Sequence, residues 1–259
     1  MNNKTFFLNR YAVAIFCALT IALSFAAYFL PLPREALPFL LVCIPAILAI
    51  LLTAFTEGGT GVRSLLSKLT EWRICLKWLM TALAVTFAMR LAVSLIALAF
   101  GMIPSIQIRA TTPVEVVLLA VIFLVAGILE ELGWRGYVLP KLLETRSALY
   151  TSLVIGVFWG LVHLALHLPG MPSDGLPMLP TLFQLIGLSV ILTWFFVQGG
   201  RNIILTSIVH AAQSFFVILN GGVTLEGQQW LMAVVWVAAG AMIVLTSRSM
   251  QKLPNPASV

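Results

Sequence analysis

The feature that most limits what this chain can form is a succession of apolar stretches, each near 20 residues long, set between short polar breaks. A helix of about 20 apolar residues crosses the ~30 Å hydrocarbon core of a bilayer. Such stretches run over about 11–30, 36–55, 78–103, 114–143, 148–168, 179–198, 203–220 and 229–247. Between them lie "PLPRE", "EGGTG", "PSIQIRATTP", "LPGMPSDG", "QGGRN" and "NGG", where Gly and Pro punctuate the helices. Only 9% of the 259 residues are charged, against about 25% in an ordinary soluble domain. A membrane β-barrel would instead show short segments of alternating polarity. The pattern predicts an all-α polytopic membrane protein, about eight transmembrane helices in one bundle, forming a single domain over 1–259.

Lys4 and Arg10 precede the first apolar stretch, but that stretch is longer than a signal-peptide core and no small-residue cleavage site follows it. It is read as the first span. The net charge of +6 is explained by topology rather than by nucleic acid, because the positive residues segregate. With a cytosolic N-terminus, that side holds Lys4, Arg10, Arg63, Lys68, Arg73, Lys77, Lys141, Arg146, Arg201, Arg248 and Lys252, and the outer loops hold Arg34 and Arg109. The positive-inside rule then puts both termini in the cytosol of a cell membrane protein in contact with lipid. Within the longest cytosolic connection, Leu65, Leu66, Leu69, Trp72 and Leu76 fall on one helical face, which predicts an amphipathic interfacial segment over 56–77. Cys17, Cys43 and Cys75 show neither disulfide nor metal spacing and are read as packing residues.

Against this background "GILEELGWRGY" stands out, since it places Glu130 and Glu131 side by side in an apolar run. A carboxylate at a helix end can merely cap a span at the membrane surface. Glu131 and Arg135, however, stand at i and i+4 with the acid first, the favourable order for a helical ion pair. Glu130 projects about 100° away around the helix and keeps its lone pairs. The histidines His163, His167 and His210 all fall in later spans, where ionisable groups point to function. Counting rise from the turn at Arg146 and Ser147, Glu130 and His163 each lie roughly 24 Å above it and should face one another. His210 sits at the same level if that hairpin projects about 10 Å beyond the membrane, which predicts a site nearer the cytosolic face.

These residues resemble the CAAX prenyl protease and bacteriocin-processing family of intramembrane endopeptidases. "EELGWR" matches its EExxxR motif, "WGLVH" resembles FxxxH with Trp159 in the aromatic position, and "HAAQS" resembles HxxxN with Ser214 where asparagine usually stands. The three motifs occur in family order within the motif-bearing core, about 113–220. The resemblance implies a hydrolase that uses glutamate and no metal cofactor. Glu130 would activate water with help from His163, His210 and Ser214 would stabilise the oxyanion, and Glu131, Arg135 and Trp159 would support the site. The implied substrate is a peptide or protein near the membrane: a prenylated CAAX carboxyl terminus or a leader peptide. The chemistry is sound on its own terms, because amide hydrolysis needs a general base and donors aimed at the developing oxyanion. Serine is shorter than asparagine, and losing an oxyanion donor costs about 10² to 10³ in rate.

Other readings stay open at this level. Glu130, His163 and His210 have the composition of a catalytic zinc site, and His163 and His167 are spaced i, i+4, although no HExxH is present. A non-catalytic scaffold or peptide-binding immunity protein would tolerate Ser214. A transporter could use Arg90 with Glu115 or Glu130 as an intramembrane charge relay, but no inverted repeat is visible.

Overall fold

A computed structural model describes residues 3–106, 112–220 and 225–252, with the side chains of 3–10, 220 and 225 not described. Arg109, the side chains of Lys4 and Arg10, the "NGG" break and the tail from 253 onwards therefore lie outside the described residues. The described residues form helices α1 (Asn3–Ala27), α2 (Leu37–Ser67), α3 (Leu76–Ala99), α4 (Pro113–Gly133), α5 (Leu139–Leu143), α6 (Ala148–His163), α7 (Met178–Gln198), α8 (Ile203–Phe215) and α9 (Leu225–Thr246). Six of the apolar helical segments are long enough to cross a membrane, and two shorter ones cover Tyr11–Ala27 and Ile203–Leu219. The protein is an all-helical integral membrane bundle, and its eight apolar segments correspond to the stretches read from sequence.

The helix starts follow local chemistry. Thr112 and Glu115 form a reciprocal capping box at α4, with Pro113 in the first turn, where its missing N–H costs nothing. Ser147 caps α6 by accepting from the Tyr150 N–H, and Asn202 caps α8 by accepting from the Leu205 N–H. In α2 the break expected at "EGGTG" is a kink at Gly58, whose φ of 69° favours glycine, and helix resumes as far as Ser67. The apolar residues after this kink do not share one environment: Leu65 is buried, whereas Leu66, Trp72 and Leu76 are exposed.

The stretch 114–143 is not one uniform helix. Pro140 has no N–H to offer the Gly136 carbonyl one turn back, and its ring crowds that carbonyl. The chain responds with a π-helical turn over Trp134–Val138, in which the Leu139 N–H donates to the Trp134 carbonyl. The Gly136 carbonyl accepts from Lys68 Nζ at 2.8 Å, tying the end of the α2 segment to this turn.

In the bundle, α4 packs between α2 and α8, α6 packs on α7, and α7 packs on α9. Two glycines bring α4 close to both neighbours. A Cβ at Gly127 would lie 2.8 Å from the Ser207 carbonyl oxygen of α8, and one at Gly133 would lie 2.6 Å from Pro45 of α2. These close approaches draw the glutamate pair of α4 up to the histidine of α8.

Candidate active site

Glu130 and Glu131 occupy the last turn of α4, immediately before the π-helical turn, and both are buried. Arg135 Nη1 donates to Glu131 Oε1 at 3.1 Å, the i, i+4 pair expected from sequence. The same Oε1 accepts from His210 Nδ1 at 3.1 Å, so Glu131 joins α4 to α8. Arg135 also reaches α7, where Nη2 lies 3.1 Å from Ser189 Oγ, and its guanidinium stacks over the Trp159 ring at 5.0 Å. A buried carboxylate, a guanidinium and an imidazole thus pair through one shared carboxylate oxygen.

Glu130 is not wholly free, as its position around the helix suggested. The indole N–H of Trp159 donates to Glu130 Oε2. Trp159 is therefore more than an aromatic wall: its N–H holds one carboxylate oxygen, something phenylalanine cannot do. His163 Nδ1 lies 3.0 Å from the Trp159 backbone carbonyl. A carbonyl only accepts, so Nδ1 carries a proton and Nε2 faces away from this bond. The Trp159 ring also makes edge contacts with His163 and His210, at centroid distances of 5.6 and 5.2 Å.

Glu130 and His163 line one small cavity, of about 80 Å³, closed on its other side by Pro38, Leu41, Val42 and Pro45 of α2. A water molecule needs about 10–15 Å³, so the cavity has room for one between the carboxylate and the imidazole. Along α2 the cavity lies in the first turns, at the Arg34 end. Nearer the tip of the α5–α6 hairpin, Lys141 Nζ pairs with Glu57 Oε1 of α2 at 2.9 Å. A larger cavity of about 690 Å³, lined by Glu57, Lys141 and Glu144, touches none of the predicted site residues.

The structure therefore gathers Glu130, Glu131, Arg135, Trp159, His163 and His210 into one connected group. Ser214 is set one turn beyond His210 on α8 and accepts a hydrogen bond from Gln213 Nε2 at 2.6 Å. Sequence reasoning missed Ser189 and Gln213. A regular helix turns Gln213 about 100° away from Ser214, but its long side chain reaches the neighbouring hydroxyl. His167 serves the loop after α6, with Nδ1 near the Leu176 carbonyl and Nε2 near Thr181 Oγ, each at 3.1 Å. Among the described residues no group of three or more His, Cys, Asp or Glu side chains is arranged to hold a metal ion.

The proposed charge relay does not form. Glu115 is held in the capping box at the start of α4, and Arg90 is buried between α8 and α9. Its Nε donates to the Gln213 backbone carbonyl at 2.6 Å and Nη2 to Gln213 Oε1 at 3.1 Å, while the guanidinium lies over Trp236 at 5.0 Å.

Residues 112–216 match the family model described as type II CAAX prenyl endopeptidase Rce1-like. A CAAX prenyl protease 2 of Methanococcus maripaludis is 29% identical over 109 residues, covering 38% of this chain and 38% of that protein. The chain thus spans well under half the length of the curated relative it matches. The family match takes in every member of the group, from Glu130 to Ser214.

Proposed function

We propose that the chain is a member of the CAAX prenyl protease and bacteriocin-processing family, as the match over residues 112–216 supports, and an intramembrane endopeptidase in which Glu130 and His163 activate water. The observation that carries this reading is the shared cavity: Glu130 and His163, on two helices, line one space large enough for water. Glu130 takes a proton from the water as its oxygen attacks the scissile carbonyl carbon, and His163 Nε2 accepts a hydrogen bond from the other proton. The carbonyl oxygen becomes an oxyanion, for which His210 Nε2 and the Ser214 hydroxyl supply donors. When the intermediate collapses, the proton held by Glu130 passes to the departing amine. For His210 to donate from Nε2 while Nδ1–H faces Glu131, its ring must be an imidazolium, and the Glu131 carboxylate supplies the balancing charge. Arg135 and Trp159 keep the two glutamates apart in role.

The substrate is a peptide or protein segment beside the membrane, carrying a prenylated CAAX terminus or a leader sequence. A cavity of about 80 Å³ admits water but not a peptide, so the peptide bond reaches Glu130 when the α2 wall moves aside. Both termini lie in the cytosol of a cell membrane protein, as the distribution of Lys and Arg supports.

The test is cleavage by purified protein in lipid vesicles, using a fluorogenic farnesylated CAAX peptide and its unprenylated twin, with and without a zinc chelator. Cleavage that resists the chelator is expected, and faster cleavage of the farnesylated peptide identifies the lipid as part of the substrate. Loss of cleavage in chelator, restored by zinc, would support a metalloprotease instead. Failure to cleave either peptide, by wild type and by Ser214→Asn, would favour the binding-only reading.

A further inference from the structure

Arg90 raises a question that the site itself does not answer. It is a cation buried in the middle of an apolar helix, and no carboxylate among the described residues pairs with it. Burying such a charge without compensation is costly. Its partners lie at the end of α8, which leaves regular α-geometry just after Ser214. Carbonyls in the last turn of a helix lack partners within the helix and carry its negative dipole end. Arg90 Nε meets one of them, the Gln213 backbone carbonyl, and Arg90 Nη2 holds the carbonyl oxygen of the Gln213 side chain. One turn further along α3, Ser94 Oγ donates to the Leu219 carbonyl at 2.7 Å. Helix α3 thus grips the unwinding end of α8 at two points.

The grip has a directional consequence. With Oε1 of Gln213 fixed on Arg90, its Nε2 can only turn the other way, where it donates to Ser214 Oγ. A hydroxyl whose oxygen already accepts must spend its own proton elsewhere. Among the described residues, none accepts that proton. We propose that Arg90 and Gln213 are positioning residues: together they occupy one acceptor lone pair of Ser214, which turns its O–H away from Gln213 as a preset donor to the oxyanion. This rests on the proteolytic reading above.

Gln213→Glu separates positioning from folding. A glutamate keeps an acceptor for Arg90 and adds a counter-charge, but it removes the N–H that orients Ser214. The farnesylated-peptide assay is run on wild type, Gln213→Glu, Ser214→Ala and the double variant, with Arg90→Met as a second route to the same loss and Glu130→Gln as the reference for the reaction. The expected result is a kcat about tenfold lower for Gln213→Glu, with KM within twofold and thermal stability held or raised. In the Ser214→Ala background the same change should cost nothing further, because its target is gone. Wild-type kcat in Gln213→Glu, or a loss that adds in full to that of Ser214→Ala, overturns the inference while leaving the protease reading intact. Absent cleavage by wild type, or cleavage undiminished in Glu130→Gln, overturns the reading and the inference with it.

Discussion

At the scale of residues, Glu131 is the hub, since one of its oxygens serves both Arg135 and His210 in a fully buried setting. Removing its charge strands a guanidinium inside the bundle, and breaking a buried pair from one side costs about 3–5 kcal/mol. Glu131→Gln is therefore expected to lower the unfolding temperature in detergent as well as activity, and an unchanged melting curve would contradict the hub. Trp159→Phe keeps the ring but deletes the donor to Glu130. Its expected signature is a kcat reduced about tenfold at unchanged KM, as for a misplaced general base, and full activity would show that the indole N–H has no part. The Glu131–Arg135 pair was legible in the sequence because helical spacing alone specifies it. The links from Glu131 to His210 and from Trp159 to Glu130 were not, because they join residues 79 and 29 positions apart across helix interfaces. Gln213 escaped notice because backbone periodicity gives the direction of a Cβ, not the reach of a long amide.

At the scale of elements, the geometry depends on how closely α4 and α8 approach. Gly127→Val places a branched side chain where even a Cβ falls 2.8 Å from the Ser207 carbonyl, so the helices must separate. Overpacking of this kind costs about 1–3 kcal/mol. The variant should lose activity out of proportion to stability, because His210 retreats from Glu131. Retention of wild-type kcat would mean that the close approach is dispensable. The eight apolar segments were legible from length and composition, since each had to satisfy its backbone within a helix. The π-helical turn was only implicit in Pro140, and the sequence does not specify that Lys68 caps the freed Gly136 carbonyl. The continuation of α2 beyond Gly58 was likewise hidden, because glycine permits both a break and a bend.

At the scale of the whole molecule, the orientation proposed from charge can be tested at a native thiol. Cys75 is exposed at the start of α3, Cys43 is half-buried in α2, and Cys17 is buried. With the basic segments in the cytosol, a membrane-impermeant maleimide should label Cys75 in inverted vesicles and spare it in intact cells. The opposite pattern would reverse the topology. The resemblance to the family was legible because the motifs pack their chemistry into short spacings. Depth was less so, because rise along one helix ignores how its neighbours are staggered. The proposed chemistry turns on Glu130, so the most direct measurement is the cleavage rate of Glu130→Gln against wild type, in vesicles, at matched folding by size exclusion and thermal melting. The account predicts a fall of about 10² to 10⁴ with stability unchanged. Cleavage by Glu130→Gln at the wild-type rate would contradict it.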